Sequence, residues 1–91
     1  MDFIWETPSD IALNLAKRVK RIRKRKKITQ QQLAGRCNVS YGALKKFEQT
    51  GEISLISLIK IAMELNLTVE INNLFTGPTY SSIDEVLNDY K

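Results

Sequence analysis

The side chains of this 91-residue sequence that could do chemistry are mostly cations, and they are concentrated in one part of the chain. Nine of the fourteen lysines and arginines lie between Lys17 and Lys27. Residues 9–60 carry a formal charge of +10, whereas residues 61–91 carry −4. This distribution favours a polyanionic partner for the basic part and a different partner for the acidic part, although a run of charge can also serve solubility alone.

Catalysis and metal binding are disfavoured by the residue types that the sequence lacks. It has no histidine and a single cysteine, Cys37, which is expected to fill the core. The commonest general base is therefore missing, and neither an intrachain disulfide nor a cysteine-rich zinc site can form. We expect a protein that is not an enzyme and has no cofactor. No apolar run approaches the roughly 18 residues of a membrane span, and the N-terminus does not resemble a secretory signal, which predicts a cytoplasmic protein without a membrane partner.

A first helix is predicted to begin after Ser9, which is a good N-cap residue. Its cations lie mostly on one side, but Arg23 falls on the apolar stripe, where a charged side chain requires a partner. The apolar side chains of this stripe fall within an arc of roughly 80°. They are Ile11, Leu15, Val19 and Ile22, with Ala12 and Ala16 beside them.

Two short helices are predicted next, with only about three residues between them. Thr29 and Gln32 match a capping box that opens the second helix, which ends near Cys37. Ser40 is the predicted N-cap of a third helix over residues 41–49. Because so short a connection forces the two helices to meet at a steep angle, the pattern predicts a helix-turn-helix unit.

The third predicted helix has one apolar face and one polar face. Leu44 and Phe47, with Ala43 beside them, are expected to pack against the other helices. The major groove of double-stranded DNA admits a helix, and lysine and glutamine side chains can hydrogen-bond the edges of guanine and adenine. The opposite face therefore predicts base recognition. It consists of Tyr41, Gly42, Lys45, Lys46 and Gln49.

The rest of the chain predicts two further helices and a short amphipathic segment. Ser54 caps a fourth helix that runs to Leu65 and is apolar almost all round, so it needs cover on most sides, which favours a homodimer. Thr68 is the predicted cap of a fifth helix, stopped by the Gly-Pro pair at 77–78. A second capping box at Ser82 opens the amphipathic segment. Its apolar residues are Ile83, Val86, Leu87 and Tyr90.

A resemblance to the XRE family of helix-turn-helix DNA-binding proteins, which includes the lambdoid phage repressors and Cro, covers residues 29–51. These residues read TQQQLAGRCNVSYGALKKFEQTG. The shared pattern is a TQ-x-x-LA opening, Val-Ser before the next helix, and Leu-x-x-(apolar)-Glu-x-x-Gly. The flanking residues extend the match to about 13–67, and at Thr50 this chain is one residue longer than the family's more common Glu-x-Gly. The resemblance implies an all-α, five-helix lambda-repressor-like domain that binds a palindromic operator as a dimeric repressor.

The resemblance also implies which residues meet the bases. In the family, base contacts come from the first two residues after the Ser or Thr cap and from a position four residues further on. Here the cap is Ser40, and the matching residues are Tyr41, Gly42 and Lys46. DNA binding implies, in turn, a nucleoid-associated location.

Other matching positions imply phosphate contacts and a structural ion pair. Gln30 matches the glutamine that holds a phosphate and braces the recognition helix. Lys26 and Lys27 lie at the C-terminal end of the first helix, the part of that helix nearest DNA in this fold, and are expected to contact phosphates. Arg23 and Glu48 match positions that form a buried ion pair in phage repressors.

A narrower resemblance, to HipB-like antitoxins, runs from Glu48 through the leucine-rich fourth helix to the tail Tyr-Ser-Ser-Ile-Asp-Glu-Val-Leu. Those antitoxins bind a kinase-like toxin and repress their own operons as dimers. We therefore predict three parts: an N-terminal arm over 1–8, a helix-turn-helix DNA-binding domain over 9–76, and an acidic interaction tail over 77–91.

Two other functions fit parts of the sequence. One is a protein-interaction module that mainly sequesters a toxin or another partner, with DNA binding secondary. The other is a basic helix that binds RNA or membranes, and it is disfavoured for two reasons. Val19 and Ile22 share one stripe with Ile11, which leaves no free apolar face for lipid, and the sequence has no RNP-type aromatic motif for RNA. The tail is too short to be a stable helix by itself, so it is expected to dock on its own chain, on a dimer mate or on a toxin.

Overall fold

The computed structural model describes residues 6–77, and every regular element within that range is a helix. The predicted all-α, five-helix architecture is confirmed. None of the helices in this range is long and apolar enough to cross a membrane. Most of the predicted N-terminal arm and the predicted segment after Ser82 lie outside the described residues. The helices are α1 (Pro8–Arg25), α2 (Gln30–Cys37), α3 (Tyr41–Thr50), α4 (Leu55–Glu64) and α5 (Thr68–Asn72).

Three of the predicted N-caps are present. The hydroxyl oxygens of Thr29, Ser40 and Ser54 accept hydrogen bonds from the backbone N–H three residues further on, at 3.1, 3.0 and 3.1 Å. At Thr29 the contact is reciprocal, because Gln32 Oε1 accepts the Thr29 backbone N–H at 2.9 Å. Each cap satisfies donors that the first turn of a helix leaves without a partner. The beginnings of α2, α3 and α4 are therefore determined locally.

The beginning of α1 was predicted wrongly, since its N-cap is Thr7 and not Ser9. The Thr7 hydroxyl accepts the Asp10 backbone N–H, and the Asp10 carboxylate accepts the Thr7 backbone N–H, both at 3.1 Å. Pro8 occupies the first helical position, where its fixed φ suits the helix and its missing N–H costs no hydrogen bond. Thr7 is the cap because Asp10, three positions after it, has a carboxylate that completes a capping box. Ala12, three positions after Ser9, has no side-chain acceptor for this contact.

The predicted cap of the fifth helix was also wrong. Thr68 is the first helical residue of α5, and the preceding Leu67 makes no side-chain capping bond. The end of α4 determines this start: Asn66 adopts a left-handed conformation with φ 63°, and the Leu67 backbone N–H donates to the Ala62 carbonyl at 2.7 Å. This closure turns the chain directly into α5, which ends at Asn72, well before the Gly-Pro pair.

The core lies around α3. Helices α1 and α2 pack against α3, while α2 and α5 pack against α4. The predicted inward face of the third helix is confirmed, because it supplies two of the largest fully buried side chains. Those side chains are Phe47, Leu33, Leu44, Ile61 and Leu65.

The buried face of α1 overlaps the predicted stripe at Ala16, Val19 and half-buried Ile22, but it is rotated toward the alanine side. Ala16, Val19 and Arg23 are buried, whereas Ile11 is 54 % exposed and Leu15 is 37 % exposed. The reason is the close approach of the C-terminal end of α3, which only the alanine side of α1 can accommodate. The larger apolar side chains are displaced toward α4 and α5 or into solvent.

Gly51, the C-cap of α3, makes that close approach possible. It has φ 85°, and its N–H donates to the Phe47 carbonyl at 2.7 Å. A Cβ atom at this position would lie 2.5 Å from the Ala12 carbonyl carbon and 2.7 Å from the Leu13 nitrogen. Both the left-handed backbone and the absence of space therefore require glycine.

We expect Gly51→Ala to lower the free energy of unfolding by about 2–4 kcal/mol, because it combines a strained φ with a clash against the α1 backbone. Gly35→Ala is the matched control, since Gly35 lies inside α2 with nothing within 4 Å of its Cβ position. This control should raise the free energy of unfolding by about 0.5–1 kcal/mol. Urea unfolding followed by circular dichroism measures both, and equal effects at the two positions would contradict the close packing of α1 on α3.

Candidate nucleic-acid interface

A buried ion pair joins α1 to α3, as the resemblance to phage repressors implied. Arg23 Nε donates to Glu48 Oε2 at 2.7 Å, and Arg23 Nη2 donates to Glu48 Oε1 at 2.9 Å. Both side chains are buried, at 8 % and 1 % exposure. The two parallel hydrogen bonds make a bidentate contact, which constrains orientation as well as distance.

Two further hydrogen bonds complete this buried polar network. Arg23 Nη1 donates to the Ile28 carbonyl at 2.7 Å, and Gln30 Nε2 donates to Glu48 Oε1 at 2.9 Å. Within the described part of the chain, every buried side-chain nitrogen and oxygen has a hydrogen-bond partner. The network therefore connects the end of α1, the loop before α2, the first residue of α2 and the last turn of α3. Gln30 makes the bracing contact to α3, while its phosphate contact stays a prediction.

The turn between α2 and α3 is short and well closed. Asn38 ends α2 in a left-handed conformation with φ 56°, and the backbone N–H of buried Val39 donates to the Ala34 carbonyl at 3.1 Å. Ser40 follows directly as the N-cap of α3, so its hydroxyl is occupied by the Ala43 backbone N–H. This turn, together with the buried network, fixes α3 against α2 as the predicted helix-turn-helix unit.

All of the side chains predicted to read bases lie on the exposed side of α3. Its N-terminal end presents Tyr41, 40 % exposed, beside Gly42, whose Cβ position has nothing within 4 Å. Lys45 and Gln49 are also exposed, and Lys45 Nζ lies 5.7 Å from the centroid of the Tyr41 ring, within cation–π range. The structure thus brings one aromatic side chain, two cations and an amide onto one face.

Lys46 on this face has a partner that the sequence analysis missed. Its Nζ lies 3.5 Å from Glu52 Oε1, and both side chains are well exposed. An exposed pair of this kind stabilises the fold by no more than about 1 kcal/mol, so a phosphate or a base can replace the carboxylate. The sequence does not point to Glu52 as this partner, because a contact across a turn leaves no periodic signal.

The two lysines predicted to contact phosphates lie at the junction of α1 and α2. Lys26 is the C-cap of α1, and Lys27 adopts a left-handed conformation with φ 58°. Both side chains are exposed, and the chain runs from them through half-buried Ile28 to Gln30. These cations therefore lie next to the network that orients α3.

Cys37 belongs to the core, as predicted. It is buried at the end of α2, and its Sγ donates weakly to the Ala34 carbonyl at 3.9 Å. Burial raises the pKa of the Cys37 thiol above its ordinary value. The thiol therefore stays protonated at neutral pH, which makes it a poor nucleophile.

The helix-turn-helix arrangement agrees with that of a known protein family. A family model described as Helix-turn-helix (HTH_3) matches residues 19–72, more than half of the chain. The chain therefore belongs to this family, the XRE-type helix-turn-helix proteins, which are DNA-binding regulators and not typically enzymes. No curated protein matches the sequence. The membership covers the whole unit from the middle of α1 to the end of α5.

Replacing one partner of the buried pair should lower the free energy of unfolding far more than replacing both. Arg23→Met and Glu48→Leu are each expected to lower the free energy of unfolding by about 3–5 kcal/mol, because each leaves a buried charge without its counter-charge. The double variant should be much closer to the parent protein, since apolar side chains can fill the same volume. Chemical unfolding of the four proteins measures the coupling, and additive effects of the two substitutions would refute it.

Proposed function

We propose that this protein is a dimeric, sequence-specific DNA-binding transcriptional repressor, and that it is an antitoxin that represses its own operon. The observation that carries the DNA-binding part is the exposed polar face of α3, held in position by the buried contacts of Arg23, Gln30 and Glu48. A recognition helix must be presented in one orientation if its side chains are to meet particular base edges. The proposal includes a nucleoid-associated location.

Base recognition is assigned to the N-terminal part and middle of α3. Lys46 would bond the O6 and N7 atoms of a guanine, and Gln49 would pair with an adenine edge. Tyr41 would contact a thymine methyl group or a phosphate, with Gly42 beside it leaving room for the backbone to approach DNA. Lys45, next to the Tyr41 ring, adds positive charge at the same place.

Phosphate contacts are assigned to the residues that flank the recognition helix. Lys26 and Lys27 lie in the junction between α1 and α2, Gln30 is the first residue of α2, and Ser40 is the N-cap of α3. The other cations of α1 would act through long-range attraction, which accelerates association without selecting a sequence.

Dimerisation is assigned to the outer face of α4. Ile56 is 63 % exposed and Met63 is 57 % exposed, and Ile59 between them completes a row at helical spacing. A second copy would cover this row and place two recognition helices about 34 Å apart, one helical turn of DNA, over a palindromic operator. Within residues 6–77, α2 and α5 cover the other sides of α4 but leave this outer face exposed, which supports the assignment.

The antitoxin role is supported by the resemblance of the chain's second half to HipB-like antitoxins and by its charge. Residues 61–91 carry −4, in contrast to the +10 of residues 9–60. An acidic tail is repelled by phosphate and is therefore assigned to contacts with protein, on its own chain or on a partner, and not to DNA. A kinase-like toxin is the proposed partner, and the three-part division into 1–8, 9–76 and 77–91 is part of the same proposal.

Substitutions in two lysines should separate base recognition from phosphate binding. Lys46→Ala is expected to relax the preference at one position of each half-site and to weaken operator binding by about 1–3 kcal/mol. Lys27→Ala should weaken binding to all duplexes alike. It should also make the slope of log K against log salt concentration less negative by about one for each protomer. Fluorescence anisotropy with operators selected from a random duplex pool measures both effects.

The parent dimer should show a log–log salt slope of about −5 to −7 if each protomer neutralises about three or four phosphates. Lys17→Ala, in the exposed middle of α1, controls for the loss of one charge and should leave base preference unchanged. If the parent binds all duplexes equally and Lys46→Ala changes nothing, base reading is refuted. A protein-interaction module with secondary DNA binding then becomes the better description.

Dimerisation should depend on the outer face of α4. Ile56→Asp is expected to shift the protein from dimer to monomer in sedimentation experiments and to weaken binding to the full operator at least about tenfold, because half of the contacts are lost. Binding to a single half-site should be unaffected. Asn72→Asp, which adds the same charge at an exposed position of α5, is the matched control. An Ile56→Asp protein that stays dimeric would exclude α4 as the interface.

A further inference from the structure

An open apolar groove of about 210 Å³ runs between α1, α4 and α5, on residues that the proposed DNA contacts do not use. Its rim carries one cation and one anion, Arg18 and Glu70. Its walls are apolar side chains from all three helices, including Leu15, Ile22, Leu58, Ile71 and Leu74.

The groove is a consequence of how α1 packs on α3. The close approach at Gly51 takes up the alanine side of α1, so Leu15 remains 37 % exposed and Leu74 on α5 remains 53 % exposed. Removing such an apolar surface from water is favourable by roughly 25 cal/mol for each Å² that is covered. A segment with a matching apolar stripe would therefore gain free energy by packing into the groove.

The chain itself contains a segment with that stripe, and the described residues that lead toward it end close to the groove. Leu74 lines the groove, and the described chain ends only three residues later, at Gly77. Residues 78–82 could span up to roughly 17 Å, which is enough to turn back onto α1. The apolar residues that follow have the spacing of one helical face. They are Ile83, Val86, Leu87 and Tyr90.

The lengths of the stripe and of the groove also agree. As a helix, the stretch from Ile83 to Tyr90 would extend about 10.5 Å. The α1 wall from Leu15 to Ile22 covers the same number of helical steps and therefore the same length.

The charge of the segment is complementary to that of α1. Asp84, Glu85 and Asp89 give the segment three carboxylates, and Arg18 on the α1 side of the rim has no ion-pair partner within residues 6–77. On a helix Asp84 and Asp89 would lie on opposite edges of the apolar stripe, so one carboxylate edge faces α1 and the other faces α5 whichever way the segment lies. The three carboxylates together are attracted to the basic helix α1, and this attraction exceeds the repulsion from the single carboxylate of Glu70.

From these observations we infer that residues 82–90 form a short helix that docks in the groove of its own chain, with Leu87 and its apolar neighbours between α1 and α5. The docked segment covers the open side of the core and places one of its carboxylate edges beside the basic helix. The inference is independent of base reading by α3, because the groove and the recognition face share no residue.

A pair of matched substitutions in the full-length protein tests this docking. Leu87→Asp is expected to reduce the folding equilibrium constant about tenfold, because it places a charge in the groove and removes apolar contact. Asn88→Asp is the control, since it adds the same charge on the opposite side of the predicted helix and should change the constant less than about twofold. Urea unfolding at two protein concentrations measures both constants.

Methyl NMR of the same proteins identifies what occupies the groove. Intramolecular contacts from Ile83 or Tyr90 to the Ile71 and Leu74 methyl groups, absent in Leu87→Asp, would support the inference. Mixing labelled with unlabelled protein detects contacts between chains, and contacts found only between chains would overturn it in favour of a second copy. Contacts from Phe3 or Trp5 instead would overturn it in favour of the N-terminal residues, and equal unfolding of the two variants without any contact would overturn it outright.

Discussion

The buried Arg23–Glu48 contact is the interaction on which the rest of this structure depends, because it holds α1, α2 and α3 in one fixed arrangement. A buried charge is costly unless its counter-charge and its remaining hydrogen-bonding groups are all satisfied. Here the guanidinium reaches both carboxylate oxygens and the Ile28 carbonyl, and Gln30 supplies a further donor to Glu48. Because these partners come from α1, from the loop after it, from α2 and from α3, no one of them can move without breaking a buried bond. Hydrophobic packing alone would hold α3 in place with less control over its rotation.

The second constraint is steric, and its effects reach the opposite side of the domain. Gly51 brings the end of α3 so close to the backbone at Ala12 that α1 must present its small side chains there. Leu15 is consequently turned toward α5, where the short helices leave a groove. A domain of this size has too few residues to cover every apolar face. The open groove is thus a consequence of the same packing that positions α3.

The charged groups that orient α3 are different from those proposed to contact DNA. The charges that orient α3 are buried and paired, whereas the charges proposed to meet DNA are exposed and have only weak partners. Lys46 has an exposed carboxylate at 3.5 Å from Glu52, and Lys45 lies over the Tyr41 ring. Weak partners of this kind are easily exchanged for phosphates or base edges, so the proposed DNA contacts would leave the fold undisturbed.

The amino-acid sequence by itself determined the helical class, the helix-turn-helix spacing and the side of α3 that faces solvent. These properties depend on neighbours within about four residues, such as the caps at Thr29 and Ser40 and the period that buries Leu44. The resemblance to a known family supplied the Arg23–Glu48 pair, since a contact between residues 25 positions apart leaves no local signal. Only the tertiary structure decided that α1 turns its alanine side to α3, that Glu52 reaches Lys46, and that a groove opens between α1 and α5. Each of these depends on the distance between separate elements, which is set by the close approach at Gly51 and by packing of the whole core.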